Sequence, residues 1–365
     1  MIVIDCIFTG DIMPGARVID EKPDPGLLKE FGQADLVVGN LECPMVSSAP
    51  KAMDTRKIPL WSDARNVRML GSFGFTDVVL NNNHIFDLFE AGLDETTKLL
   101  DDRGIRGFGI DYEGLSQYCR ISVNGITLGM TAVNWVETGF SGHLFKDLAG
   151  LDVGSLKKDC DFLIMSLHWG DDHNTFINRD QQEAGRRLID EGVDLIIGHH
   201  PHVPQGYEVY KGKYIFYSLG NFIFTPREEY ESLPYDISYE DQRENVLFQR
   251  PECKIGMYVR VIFSKTGYSL AKLRPVYRQG TLPATLPPHH QLFFDRLLER
   301  MNDQVARSVY ELNEAERRKI LTRYTLPLIL THPTYWPMFF RKVSVRKAFR
   351  LINQARVVKS WKKSS

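Results

Sequence analysis

Short runs of apolar, largely β-branched residues alternate with helix-like segments through the first two thirds of the chain. The strand-like runs are IVIDCIFT (2–9), ADLVVGN (34–40), TDVVLNN (76–82), DFLIMSLHW (161–169) and VDLIIGHH (193–200). Between them lie DARNVRMLGSFG, EAGLDETTKLLDDRG and DQQEAGRRLIDEG, each ending near a glycine, as helices commonly do. Such continuous apolar runs are typical of strands covered on both faces, so the pattern predicts an α/β fold with crossover helices.

Two further segments predict antiparallel hairpins within this fold. YCRISVNGITLGMTAV turns at Asn124-Gly125, and YEVYKGKYIFYSLGN turns near Lys211-Gly212. We therefore expect mixed sheets rather than a purely parallel one. From about residue 285 the pattern becomes helical, which divides the chain into a domain at 1–280 and a basic, helical C-terminal extension at 285–365.

The composition excludes several classes of protein. With 365 residues, of which 43% are hydrophobic, the chain can bury a large core, and its formal net charge of −1 gives no general attraction to nucleic acid. The five cysteines are widely spaced without a C-x-x-C pair, which argues against a disulfide framework or a zinc knuckle. The sequence MIVIDCIFTGD lacks a basic n-region, and its apolar run is too short to span a membrane. These features predict a cytoplasmic protein.

Residues with metal-binding or acid–base chemistry follow all of the predicted strands. They are Asp11, Asn40, Glu42, Asn83, His84, Asp87, His168, Asp172, His173, His199, His200 and His202. In open α/β sheets, ligands bind outside the carboxyl ends of the strands. Mixed carboxylate, amide and imidazole donors are typical of two-metal hydrolytic centres, and donors without thiolates suit manganese, iron or zinc better than calcium.

Each of these residues taken alone has a simpler interpretation. Asp11 could begin a turn, Glu42 could be an exposed loop acid, and Asp87 is expected to cap the helix that begins near Leu88. Such alternatives at five strand ends would be five coincidences, whereas one metal site explains them together.

Six motifs, in this order, resemble the CapA family of capsule-synthesis proteins, which is associated with poly-γ-glutamate and belongs to the calcineurin-like metallophosphoesterase superfamily. They are GDIM, NLECP, NNNHIFDLFEAGLDET, SLHWGDD, DLIIGHHPHVPQG and YSLGNFIF. The resemblance covers about residues 2–226 and is specific in the combination of motifs. It implies an αββα sandwich of mixed sheets with a dinuclear metal site at the strand ends.

The resemblance also implies roles for single residues. The expected metal ligands are Asp11, Glu42, Asn83, His168, His200 and His202. Asp11 and His202 match ligands of one ion, Asn83, His168 and His200 match ligands of the other, and Glu42 stands where a bridging carboxylate is expected. His84 resembles the catalytic histidine that protonates the leaving group or stabilises transition-state charge.

The first motif departs from the superfamily pattern. It reads Asp11-Ile12-Met13 where D-x-H is usual, so one histidine ligand is absent. The first ion then has three ligands, and either it recruits Asp172 or His173 or the site holds one ion instead of two.

Supporting roles are expected for residues close to these ligands. The candidates for orienting a ligand or contacting substrate are Asp87, Asp172, His173 and Asn221. Metal-bound imidazoles need hydrogen-bond partners that fix their orientation. His173 and His199 match no ligand position, so we expect them to orient ligands or to face solvent.

Two functions follow from this reading. The first is a metal-dependent hydrolase in which two divalent ions lower the pKa of water, so that hydroxide attacks a phosphoester or a γ-glutamyl bond of a small-molecule or polymer substrate while His84 acts as the acid. The second is a non-enzymatic metal-binding subunit of a membrane-associated complex for polymer synthesis or export.

The basic C-terminal segment suggests where such a protein would act. Residues 339–365 contain nine Lys and Arg residues and no Asp or Glu. Apolar residues at helical spacing from Val345 to Ala355 predict a helix, which is either a solvated surface helix or a contact to a membrane surface or to capsule-synthesis subunits.

Overall fold

The computed structural model describes residues 2–48, 59–136, 148, 150–225 and 250–325. Its strands are β1 Val3–Met13, β2 Leu36–Leu41, β3 Met45–Val46, β4 Ser62–Asp63, β5 Asp77–Val79, β6 Arg106–Phe108, β7 Tyr118–Val123, β8 Ile126–Asn134, β9 Phe162–His168, β10 Leu195–His199, β11 Tyr207–Tyr210, β12 Lys213–Phe216, β13 Asn221–Phe224, β14 Ile255–Ser264, β15 Gly267–Arg278 and β16 Pro283–Thr285. Its α-helices are α1 Pro25–Phe31, α2 Val67–Ser72, α3 Phe89–Asp101, α4 Val153–Lys158, α5 Arg179–Glu191, α6 Pro288–Arg307 and α7 Glu311–Ile320.

The strands form two large mixed sheets. The first has the order β16-β15-β14-β1-β2-β5-β6, with β13 beside the end of β1; β1, β2, β5 and β6 are parallel, and β14 runs antiparallel to β1. The second has the order β11-β12-β10-β9-β8-β7, in which the four central strands are parallel. The prediction of mixed sheets is confirmed.

Three apolar clusters show how these sheets are layered. One lies between the two sheets and joins residues such as Phe8 and Val38 of the first to Ile164 and Ile197 of the second. A second packs the outer face of the first sheet against α1, α2 and α3, and a third packs the outer face of the second sheet against α4 and α5. The layers therefore run helix, sheet, sheet, helix, which confirms the expected αββα sandwich.

Both predicted hairpins form at the expected turns. The β7–β8 hairpin turns at Asn124 and Gly125, with φ of 54° and 73°, and the β11–β12 hairpin turns at Lys211 and Gly212, with φ of 50° and 79°. Two consecutive residues with positive φ match the twist of antiparallel strands, and glycine adopts this conformation at little cost.

The described residues that follow β16 form the helices α6 and α7. Helix α6 buries Leu297 and Met301 against Phe176, and the amide of Gln304 bonds to the backbone of Ile177. The basic segment 339–365 lies outside the described residues. Within the described part of the chain, no helix combines the length and apolar character needed to cross a membrane.

Candidate metal centre

The carboxyl ends of the central strands of both sheets meet at one place. In the first sheet Asp11 of β1 pairs with Asn40 of β2, and in the second His168 of β9 pairs with His199 of β10. The two sheets touch here, because His199 Nδ1 lies 3.0 Å from Asp11 Oδ1 and Asn40 Nδ2 lies 3.4 Å from His168 Nδ1. All of the predicted ligands lie at or beside this junction.

Two glycines allow the backbones to approach this closely. A Cβ atom on Gly10 would lie 1.8 Å from the carbonyl oxygen of Gly220, and one on Gly198 would lie 2.0 Å from that of Tyr217. With glycine present, Asp11 N donates to Gly220 O at 2.9 Å. The glycines that precede Asp11 and His199 are therefore required by packing.

A first group of donors consists of Asp11, Glu42 and His202. The three residues are buried, and each offers a ligand atom within 4.8 Å of the others. His202 Nε2 lies 3.6 Å from Glu42 Oε1, while its Nδ1 lies 3.0 Å from Asn221 Oδ1. Since an amide oxygen only accepts hydrogen bonds, Asn221 keeps the proton on Nδ1 and leaves the Nε2 lone pair facing Glu42.

A second group consists of Glu42, His168 and His200, with Asn83 beside it. The ligand atoms of the first three again lie within 4.8 Å of one another. His168 Nε2 is 3.3 Å from Glu42 Oε1 and 2.7 Å from Asn83 Oδ1. Glu42 is thus common to both groups, in the position that a bridging ligand would require.

Asp172 forms a third group with His200 and His202. Its Oδ1 lies 3.0 Å from His200 Nε2, and its side chain is 47% exposed, whereas those of the two histidines are buried. Asp172 therefore approaches the junction from the solvent side.

The protonation states at this junction fit a divalent cation. Burial lowers the pKa of His168 well below its usual value and that of His202 to about 4, so both imidazoles are neutral near pH 7. Burial alone would raise the pKa of Asp11, but the hydrogen bond and charge of His199, together with His202, lower it overall. Metal ligands must be neutral imidazoles and ionised carboxylates, and His168, His202 and Asp11 meet that condition.

His84 is held by Asp87 at the edge of the same junction. His84 Nδ1 lies 2.6 Å from Asp87 Oδ2, which also accepts a hydrogen bond from Leu60 N at 2.6 Å. The prediction that Asp87 caps a helix is wrong: α3 begins at Phe89, and its N-cap position is held by the apolar residue Leu88. The Asp87 carboxylate instead orients the His84 ring, whose side chain is 13% exposed.

Several alternative interpretations are also wrong. Asp11 lies within β1 rather than in a turn, and Glu42 is buried rather than an exposed loop acid. His199 and His173 do not face solvent, since both are buried: His199 bonds to Asp11, and His173 Nδ1 lies 3.7 Å from Cys253 Sγ.

Two further buried asparagines belong to the junction: Asn40, which the sequence placed at a strand end without a ligand role, and Asn82, which the sequence analysis did not single out. Asn40 Nδ2 donates to Asp11 Oδ1 at 2.9 Å, and Asn82 Nδ2 donates to Asn40 Oδ1 at 3.1 Å. Asn82 Oδ1 also accepts from His84 N at 3.1 Å. Asn82 therefore connects the His84 loop to the Asp11 carboxylate. The available sequence signal was that both amides stand at strand ends beside the predicted ligands.

Comparison with known proteins agrees with this arrangement of motifs. A protein of Bacillus subtilis named PGA biosynthesis protein CapA is 31% identical over 245 residues, which cover 61% of this chain and 63% of that protein. A capsule biosynthesis protein CapA of Bacillus anthracis is 30% identical over 208 residues, covering 52% of this chain and 51% of that protein. The chain thus spans between about a half and two thirds of the length of these relatives.

Among solved structures, one described as a novel phosphatase of Mycoplasma pneumoniae is similar with a TM-score of 0.45 and 14% identity, covering 81% of this chain and 99% of that one. The family described as bacterial capsule synthesis protein PGA_cap matches residues 5–226, which include the Asp11, Glu42, His84, His168 and His202 positions. The chain belongs to the PGA_cap family of bacterial capsule synthesis proteins.

Proposed function

We propose that this chain is a metal-dependent hydrolase that cleaves a phosphoester or a γ-glutamyl bond. The proposal rests on two clusters of carboxylate and imidazole side chains that have Glu42 in common. The His84–Asp87 pair lies on the adjacent loop. Asp11, Glu42 and His202 would hold one divalent ion, and Glu42, Asn83, His168 and His200 would hold a second. When bound, such ions supply Lewis acidity and an activated water near neutral pH.

The protein side chains have separate tasks in this proposal. Asn221 and His199 orient the ligands His202 and Asp11 through hydrogen bonds of 3.0 Å each. Asp87 holds His84 at the solvent-accessible edge, where its imidazole donates a proton to the departing group. General acids of this kind contribute about 10²- to 10⁴-fold to rate.

The relatives support a link to capsule or poly-γ-glutamate biosynthesis, since their names are PGA biosynthesis protein and capsule biosynthesis protein. The substrate is accordingly a small molecule or a polymer carrying phosphoester or γ-glutamyl bonds. Binding of segment 339–365 to a membrane surface or to capsule-synthesis subunits, and the absence of a nucleic-acid partner, stay predictions from the sequence.

Elemental analysis combined with turnover assays tests the proposal. Purified protein is assayed for manganese, iron and zinc, and then for hydrolysis of a chromogenic phosphodiester, a phosphomonoester and γ-glutamyl peptides, before and after chelation. We expect two bound ions and turnover that is lost on chelation and restored by manganese. Bound metal without turnover of any of these substrates would contradict the hydrolase.

A second candidate, a non-enzymatic metal-binding subunit of a polymer synthesis or export complex, is favoured by one observation. The Asp11 carboxylate accepts hydrogen bonds from Asn40 Nδ2, His199 Nδ1 and His200 N, at 2.9 to 3.2 Å. These bonds give Asp11 a structural role that needs no catalysis. The turnover assays separate the two functions.

A further inference from the structure

The loop that follows β9, residues 169–178, brings Asp172 to the metal centre and is fastened to α7. Asp171 Oδ2 accepts hydrogen bonds from Asn313 Nδ2 at 3.1 Å and from Asn178 Nδ2 at 3.2 Å. Asn313 Nδ2 also donates to Phe176 O at 2.7 Å. One side-chain amide of α7 thus bonds to both ends of the stretch 171–176.

A buried arginine makes a second connection between α7 and this loop. Arg250 Nη1 donates to the carbonyl oxygen of His173 at 2.7 Å, and Nη2 donates to Glu316 Oε1 of α7 at 3.3 Å. Arg250 is 2% exposed and Glu316 is 7% exposed. Charge-assisted hydrogen bonds between buried groups are strong and directional, so this contact fixes the backbone next to Asp172 relative to α7.

The other side of the loop is fastened to the histidine segment. His173 N donates to Pro201 O at 2.8 Å, and Pro201 lies between His200 and His202. His173 has a φ of 57°, a left-handed conformation that non-glycine residues keep only where surrounding contacts impose it. The loop is therefore clamped between α7 and the two histidines that Asp172 approaches.

We propose that Asp172 is a metal ligand on the His200–His202 side of the centre and that Asn313, Glu316 and Arg250 are positioning residues that hold it there. The inference rests on the metal binding in the proposed function. It makes the C-terminal helix α7 part of the metal site. It also adds a protein ligand to a centre whose first motif lacks the usual histidine.

A double-mutant cycle on metal affinity tests this proposal. The full chain is stripped of metal, and binding of Mn²⁺ and Zn²⁺ is measured by competition with a chromophoric chelator. We expect Asp172→Asn to weaken one binding step about 10- to 100-fold, and Asn313→Ala to weaken the same step about 10-fold. In the Asp172→Asn background, Asn313→Ala should have no further effect, because the amide acts through Asp172.

The matched control is Glu314→Ala, on the next residue of α7, whose side chain is 75% exposed. It should bind metal like the wild type. If Asn313→Ala does not fold, a second pair of variants replaces it. Arg317 Nη1 lies 3.3 Å from Asp171 Oδ1, whereas Arg318 pairs with Glu314 on the helix itself. We therefore expect Arg317→Ala to weaken metal binding about two- to fivefold and Arg318→Ala to leave it unchanged.

The outcomes are distinguishable. Wild-type protein that binds no divalent cation would overturn the proposed function and this inference together. Wild-type binding with unchanged affinity in Asp172→Asn, or additive losses in the double variant, would overturn the inference alone. Equal effects of Arg317→Ala and Arg318→Ala would also overturn it.

Discussion

At the scale of single residues, several side chains of the junction are each held by a hydrogen-bonded partner. Asn221 orients His202, His199 and Asn40 hold Asp11, and Asp87 orients His84. Fixed orientation lowers the reorganisation needed when an ion or a substrate binds. Mutations of the partners should therefore reduce metal affinity or turnover nearly as strongly as mutations of the residues that they hold.

His84 provides the sharpest residue-scale prediction. His84→Ala should lower turnover by about 10²- to 10⁴-fold while the metal content stays unchanged, because the proposed function makes this residue the acid and not a ligand. Asp87→Asn should lower turnover less, since an amide still contacts the ring. The measurements are kcat for a chromogenic phosphodiester and metal analysis of each variant. Unchanged kinetics in His84→Ala with full metal content would contradict the role of His84 as the acid.

The residue scale also shows where prediction from the sequence stopped. The convergence of the candidate ligands was predictable because they stand at or just after the ends of apolar runs, and strand direction alone brings such ends to one edge. The contact that holds the His173 backbone was not predictable, because Arg250, which donates to the carbonyl oxygen of His173, lies far from it in the sequence.

At the scale of elements, close backbone approach sets which residues the strands tolerate. Gly198→Ala should destabilise the protein by about 3 kcal/mol or more, because the added methyl group would meet the rigid carbonyl of Tyr217 at 2.0 Å. The control is Gly71→Ala in α2, which has open space around it and should raise stability by about 0.4–1 kcal/mol. Urea unfolding of both variants measures the difference, and equal midpoints would contradict the packing argument.

Asp77, the first residue of β5, should make the stability of the fold depend on pH. Burial raises the pKa of its carboxyl, although Thr76 and Arg106 act in the opposite direction. The folded state then keeps a proton that the unfolded state has lost, so the free energy of unfolding decreases as pH rises above about 3.9, the unfolded pKa.

Asp77→Asn removes the cost of burying an ionised carboxylate. It should therefore raise the free energy of unfolding by about 1 kcal/mol at pH 7, and this gain should become smaller toward pH 4. Urea unfolding at both pH values measures it, with the exposed Asp101→Asn as a variant that should behave like the wild type. A loss of stability at pH 7 would mean that the ion pair with Arg106, at 3.3 Å, outweighs burial.

The elements differed in how well the local sequence predicted them. Asn124-Gly125 predicted its hairpin because the turn conformation depends on those two residues alone. The antiparallel pair β14–β15, by contrast, was not identified from sequence, although it pairs along the whole of Ile255–Ser264 and places β14 against β1. Pairing of β14 with a strand some 250 residues earlier is a property of the assembled sheet.

At the scale of the whole molecule, the candidate centre joins the two sheets. Asp11 and Glu42 come from the first sheet and its following loop, and His168, His200 and His202 come from the second and its loop. An ion bound between them would cross-link the sandwich at its carboxyl-end edge. Metal binding should therefore stabilise the entire fold.

Thermal unfolding with and without metal measures this coupling. Mn²⁺ or Zn²⁺ at about 100 times its Kd should stabilise the native state by about 2.7 kcal/mol, which corresponds to a rise in Tm of about 3.5 °C for a chain of 365 residues. Glu42→Gln should lose most of this rise because it removes the carboxylate common to both donor groups. Calcium should give a smaller shift, since imidazoles suit it poorly. An equal rise in Glu42→Gln would contradict a shared ligand.

The sequence by itself determined the α/β class, the two tight hairpins and the polar residues at each strand end, because these depend on local periodicity and turn chemistry. The αββα layering followed from family resemblance and from packing of three apolar clusters. Tertiary structure alone decided that His199 meets Asp11 and that α7 holds the Asp172 loop. The distances in these contacts depend on how two sheets and a terminal helix pack, and packing is determined by the summed side chains of segments far apart in the chain.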